Sequence, residues 1–208
     1  MWRVLAVAVV SSATVFAQPA GPRIGPRDVA MLMASRQMPA GVIAPTVVMS
    51  VGPPPPPSPP SETDDGLVAR FTASLPSFDA VRDGTVVHVL PKDLPPRIRA
   101  RLDQKLNLDS MSDTSAVGMV IRFADSLRGR ISPNALAGGG LPGPKCPLAN
   151  TVHLPDTALS TQQALDEVVK QVPGLVWVVT YDAAVPDLDF ALGLMCGGGE
   201  TVLVEVAR

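Results

Sequence analysis

The chain predicts an α+β fold: a small mixed or antiparallel sheet packed by two or three helices, preceded by a disordered Pro-rich segment. Three observations predict it. Apolar residues recur at helical spacing in residues 112–127 and 160–172. Short β-rich apolar runs stand at residues 85–90 and 175–181. Prolines crowd the stretch before residue 66, where a core is hardest to build.

Residues 1–17, MWRVLAVAVVSSATVFA, read as a signal peptide. Arg3 gives the positive start, Val4 to Val10 the apolar run, and Val15-Phe16-Ala17 a small-x-small signal for cutting after Ala17. The run is far short of the ~20 apolar residues that a membrane span requires. No Cys follows the cut to carry a lipid anchor, and no later segment is long and apolar enough to span. The expected protein is therefore secreted or periplasmic, with no membrane span in its mature form.

Residues 18–66 are expected to be a mostly disordered leader. Pro19, Pro22, Pro26, Pro39 and Pro45 break it, followed by VGPPPPPSPPSETDDG. The run from Pro53 to Pro60 predicts a polyproline II spacer of roughly 25 Å, at ~3.1 Å per residue. Residues 28–34 have apolar helix formers for a turn or two, but so short a helix is marginal alone.

The ordered part begins near Leu67, with a strand expected over residues 67–73. Asp83-Gly84 makes a tight turn into the strand at residues 85–90, which Pro91 ends. After Pro95-Pro96 the sequence RIRARLDQKL sets Ile98, Leu102 and Leu106 at helical spacing. Its cations Arg97, Arg99, Arg101 and Lys105 read as a solvated face. A second helix starts at Ser112 or Asp113, repeats Val117, Val120, Ile121, Ala124 and Leu127, and stops at Gly129. Residues 67–130 thus form one α/β part, and residues 131–150 a Gly/Pro-rich loop carrying Cys146 near its end.

Residues 151–208 read as β-α-β-β-β. Residues 151–154 are a short strand. Ser160 with Gln163 three residues on makes the capping box of a helix whose stripe is Leu165, Val168, Val169 and Val172. Pro173-Gly174 ends that helix. Residues 175–181 are too uniformly apolar for a surface edge, so both faces of that strand are expected to be covered. Residues 187–196 and 201–206 give two more strands, joined by a hairpin turn at Gly197-Gly198-Gly199.

The string L-S-x-x-x-A-L-D-x-V-V-x-x-V-P-G-L-x-W-x-V, within residues 151–206, resembles the short N-terminal domain of secretins and TonB-dependent receptors. Those are small envelope modules that contact partner proteins and carry no active site, so the resemblance implies an interaction role. A fainter echo runs inside the chain, where residues 106–127 resemble residues 152–172 as a strand–helix unit.

Composition excludes several classes. A net charge of -2 leaves no electrostatic footprint for nucleic acid, and 4% aromatic residues supply no base-stacking platform. No G-x-S-x-G elbow, H-E-x-x-H, phosphate loop or dinucleotide fingerprint is present, so no cofactor is expected and catalysis is not. His88 and His153, the two histidines, sit in β-rich runs and read as packing residues. A metal site from Cys146, Cys196, His88 and His153 lacks the close ligand pairs such sites use. The two cysteines of an exported chain are most simply one disulfide, Cys146–Cys196, worth about 4 kcal/mol for a loop of about fifty residues. A Cys-His nucleophile from Cys196 and His153 is the alternative. The expected function is a non-catalytic interaction module with an envelope or extracellular protein partner. The alternative is a small secreted hydrolase or ligand-binding protein, with its site between the two parts.

Overall fold

The computed structural model describes residues 24–49, 59, 61–106, 114–128, 136–137, 146–155, 157–184, 191–199 and 201–206. The expected signal peptide, most of the proline run and most of the loop at residues 131–150 lie outside them. The fold is α+β, built on a mixed sheet.

Helix α1 (Pro26–Ser35) opens the described chain. Pro26 stands at its first position, where a missing N–H costs nothing. Asp28 supplies the cap, its carboxylate accepting from Gly25 N at 2.9 Å. Strand β1 (Ala40–Pro45) follows, and a 3-10 turn (Thr46–Val48) closes this segment. Helix α2 (Asp64–Ser74) and the hairpin of β2 (Phe78–Asp83) with β3 (Val86–Pro91) come next. Gly84 turns that hairpin at φ 57°, a backbone region that glycine enters without steric cost.

Helices α3 (Pro96–Asp103) and α4 (Ala116–Arg128) flank a two-residue strand, β4 (Thr114–Ser115). Then come β5 (Leu136–Ala137), β6 (Thr151–Val152), α5 (Thr161–Gln171), β7 (Leu175–Tyr181), β8 (Ala191–Cys196) and β9 (Thr201–Glu205). The main sheet has the order β2-β3-β1-β7-β8-β9-β5. β1 lies parallel to both β3 and β7, while the remaining pairs are antiparallel.

Each face of this sheet has its own core. On one, α1 and α2 place Val29, Met33, Leu67 and Phe71 over Val42, Val89, Val176 and Val178. On the other, α3, α4 and α5 place Ile98, Leu102, Phe123, Leu165 and Val169 over Ile43, Trp177, Val179 and Leu194. Every residue of β7 is buried, as its continuous apolar run predicted, with alternate side chains entering the two cores.

The leader is the main correction. Those residues of the expected leader that are described, 24–49 and 61–66, are not a disordered approach to the fold, because α1 and β1 lie among them and β1 pairs on both sides within the sheet. The prolines punctuate these elements instead of preventing them. Pro26 starts a helix, Pro39 precedes β1 with its carbonyl bonded to Val87 N at 3.0 Å, and Pro45 ends β1. The expected strand at residues 67–73 is also corrected, since Asp64–Ser74 is helical. Thr63 caps that helix by accepting from Gly66 N at 3.1 Å, and Asp64 and Asp65 face the positive helix end.

The division into a part at residues 67–130 and another at 151–208 does not split the sheet, which joins β3 of the first to β7–β9 of the second through β1. The expected strand at residues 151–154 shrinks to β6, which pairs with β4 outside the main sheet. β1 holds the place beside β7 that a β-α-β unit would have given it. Among the described residues five α-helices pack on the sheet, where two or three are expected from the sequence.

Candidate functional site

Register brings three residues into one row across the parallel strands. Gly41 of β1 is opposite His88 of β3 on one side and Trp177 of β7 on the other. A Cβ at Gly41 would overlap the indole of Trp177, so the glycine is the space in which the ring lies. Above the row, α5 presents Gln162 and Asp166, one turn apart on the same face.

Asp166 Oδ1 accepts from Trp177 Nε1 at 2.8 Å and lies 2.9 Å from His88 Nε2. Gln162 Nε2 lies 3.4 Å from His88 Nδ1, and the imidazole and indole centroids are 5.6 Å apart. The indole can only donate, so the carboxylate is its acceptor and is left able to accept from His88 Nε2–H as well. Gln162 then meets Nδ1, so both imidazole nitrogens have partners. His88 is 5% exposed and Asp166 6%, so the node lies under α5 and not in an open cleft.

His153 is elsewhere. It is exposed, and Gln171 grips its backbone, accepting from His153 N at 2.9 Å and donating to His153 O at 2.7 Å. The cysteines are bonded to each other as predicted, with a Cα–Cα distance of 5.7 Å. That removes the Cys-His nucleophile, since no cysteine is free. The four-ligand metal site is not assembled either: both cysteines are in the bridge and His88 is bonded to Asp166. Gly197–Gly199 is the expected hairpin turn, closed by Gly199 N to Cys196 O at 2.8 Å.

The bridge anchors a short strap. Leu148 O and Asn150 O accept from Val117 N and Ala116 N, at 3.2 and 2.9 Å, capping the first turn of α4. Thr151 and Val152 pair with β4, and Leu148 and Val152 are buried against the α3–α5 core.

The basic residues near α3 are ties more than a solvated face. Arg97 donates to Asp182 O at 2.9 Å, Arg101 to Leu127 O at 3.2 Å and Lys105 to Ala158 O at 3.3 Å. Each holds a carbonyl at the end of another segment, which suits a cation near a helix C-terminus in the case of Leu127. Next to Arg97, burial pushes the Tyr181 hydroxyl above its ordinary pKa, and the guanidinium offsets part of that. Lys170 is raised as well, chiefly by its hydrogen bond to Glu167.

Asp166 and Gln162 were not among the candidate residues, because polar residues between the stripe positions of an amphipathic helix read as its solvent side. One signal pointed to them. A tryptophan in a strand buried on both faces needs an acceptor for its N–H, and the preceding helix is the nearest source.

No protein-family model matches the chain, and neither the curated proteins nor the solved structures give a match to it. Fold and node together define a two-faced α+β domain with a histidine–aspartate–tryptophan network in its interior. No helix among the described residues is long and apolar enough to cross a membrane.

Proposed function

We propose that the protein is an exported, non-catalytic interaction module of a bacterial-type cell envelope or the extracellular space, presenting its rim to a protein partner. The observation that carries this reading is where the reactive side chains go. His88 has Asp166 and Gln162 on its two nitrogens under a helix, and both cysteines are joined in the bridge. Among the described residues, the large apolar side chains most open to water are Val47 at 75%, Val48 at 42% and, on the edge strand β2, Val81 at 51% exposed.

The N-terminal segment supports export, and the disulfide suits an oxidising compartment. The first described residue, Ile24, is fully buried, so a cut after Ala17 leaves the whole described core in the mature chain. The resemblance of residues 151–206 to the secretin and TonB-dependent receptor module supports a partner-contacting role. The order β6, α5, β7, β8, β9 suits that resemblance, although β6 lies outside the main sheet.

N-terminal sequencing of the protein recovered outside the cytoplasm is expected to begin at Gln18. A photo-crosslinking residue at position 47 or 81 is expected to capture one discrete partner in intact cells, and the same residue at exposed Arg99 is not. Equal capture at all three positions, or retention of Met1 on the recovered protein, overturns the reading.

The His88–Asp166 pair favours a second reading, a hydrolase that uses the imidazole as a base. Activity abolished by His88→Gln in a protein that still folds supports it.

A further inference from the structure

We propose that the Cys146–Cys196 disulfide is a redox latch for the strap at residues 146–154, whose reduction releases the strap and the start of α4 while the main sheet stays folded. This goes beyond the interaction reading and does not depend on it.

The argument rests on how unequally the two cysteines are held. Cys196 ends β8, is 3% exposed, and pairs with Leu175 in the sheet. Cys146 is half-buried and belongs to no strand or helix. Besides the bridge, its segment is held by a two-residue ladder to β4, the two carbonyls that cap α4, the buried side chains of Leu148 and Val152, the half-buried Cys146 and Leu154 packed on the same core, and contacts of His153 that include the grip of Gln171. None of these reaches the main sheet through backbone pairing. The bridge is a covalent cross-link from the strap to β8 of that sheet, in addition to the main chain that runs through α5 to β7.

The ladders joining β3, β1, β7 and β8 do not involve the strap. Opening the bridge therefore removes the disulfide anchor of a segment whose strand pairing is a two-residue ladder, and leaves the main-sheet pairing intact. Ala116 N and Val117 N then lose their acceptors, and the first turn of α4 frays.

The step is a thiol–disulfide exchange with an external dithiol. A thiolate of the dithiol attacks Sγ of Cys146, the less buried of the two cysteines. The S–S bond breaks, and its electron pair leaves on Cys196 Sγ, which takes a proton. The second thiol of the reductant attacks the mixed disulfide, closes its own ring disulfide and frees Cys146 as a thiol. The protein gains two electrons and two protons, and the dithiol loses them.

The test is hydrogen exchange on the full mature chain, read by mass spectrometry, before and after dithiothreitol under native conditions, with iodoacetamide counting the thiols. Two thiols are expected to be released. Exchange at residues 114–119 and 146–154 is expected to accelerate at least about thirtyfold, with the rest of α4 and β1, β3 and β7 unchanged. Reoxidation is expected to restore protection. The double variant Cys146→Ser, Cys196→Ser is expected to show the same local loss without reductant. Failure of dithiothreitol to free the thiols overturns the proposal, as does unchanged protection after reduction or exchange that spreads to β1 and β7. Should the double variant not fold, reduction of the native protein decides by the same criteria.

Discussion

Asp166 holds two neighbours with one oxygen, so its loss is felt at both. Asp166→Ala leaves the Trp177 N–H and the His88 ring buried without their acceptor, at about 1–3 kcal/mol for each orphaned group. Urea unfolding is expected to show this fall. A double-mutant cycle with Trp177→Phe is expected to show coupling of about 0.5–3 kcal/mol, because the two side chains share one hydrogen bond. Gly41→Ala acts on the same spot by volume. Its methyl group enters the space of the indole and is expected to cost about 1–3 kcal/mol, the usual range for overpacking. Tyr181, the chain's single tyrosine, gives a separate readout at alkaline pH. Its folded pKa is raised, so its contribution is fully present below the unfolded value of about 10 and is lost as pH rises through the folded value. Absorbance titration is expected to find it ionising above that value, and Tyr181→Phe to flatten the alkaline loss of stability. At this scale the sequence singles out the imidazole but neither the indole nor the carboxylate beside it. Strand pattern shows what a sheet buries, whereas a polar residue buried on a helix looks like one facing water.

Among the elements, α5 was legible in full, since its capping box, stripe and Pro-Gly stop all agree. β7 was legible because seven consecutive buried residues admit few other readings. β1 was not. AGVIAP has five residues between Pro39 and its closing Pro45, and nothing within it says that two other strands will flank it. Removal of residues 18–60 is the decisive experiment at this scale. It withdraws β1 from between β3 and β7 and strips α1 from one core, so cooperative melting by circular dichroism is expected to disappear. α2 was misread for a similar reason. SETDDG looks like a polar release, yet Thr63 and the two aspartates after it are what a helix start needs.

In the whole molecule, a clamp closes the base of the proline run. Glu62, its side chain 8% exposed, bonds Arg36 at the end of α1 and Arg70 on α2, each at 2.6 Å. Because the clamp fixes one end of the connection and β1 the other, the prolines between are expected to matter little to stability. Replacing residues 53–58 by a Gly/Ser segment of equal length is expected to move the melting temperature by only a few degrees, the shift that under ~1 kcal/mol produces in a chain of this size. Glu62→Ala is expected to cost more, about 1–3 kcal/mol, since Arg36 keeps Thr63 O and Asp64 while the buried ends of both ion pairs are lost. The division of the chain into two parts failed for want of β1, the strand that joins them.

That strand also sets an order of events. β1 leaves the ribosome early, but its partner β7 lies more than half the chain's length further on. A chain made from its N-terminus therefore carries an apolar strand with an unclaimed edge until most of synthesis is over. Pairings so distant in sequence raise the contact order and slow the search for the native state. Throughout that interval Ala40–Pro45 is the segment with most reason to be shielded by a chaperone, and the one most open to pairing with the wrong chain.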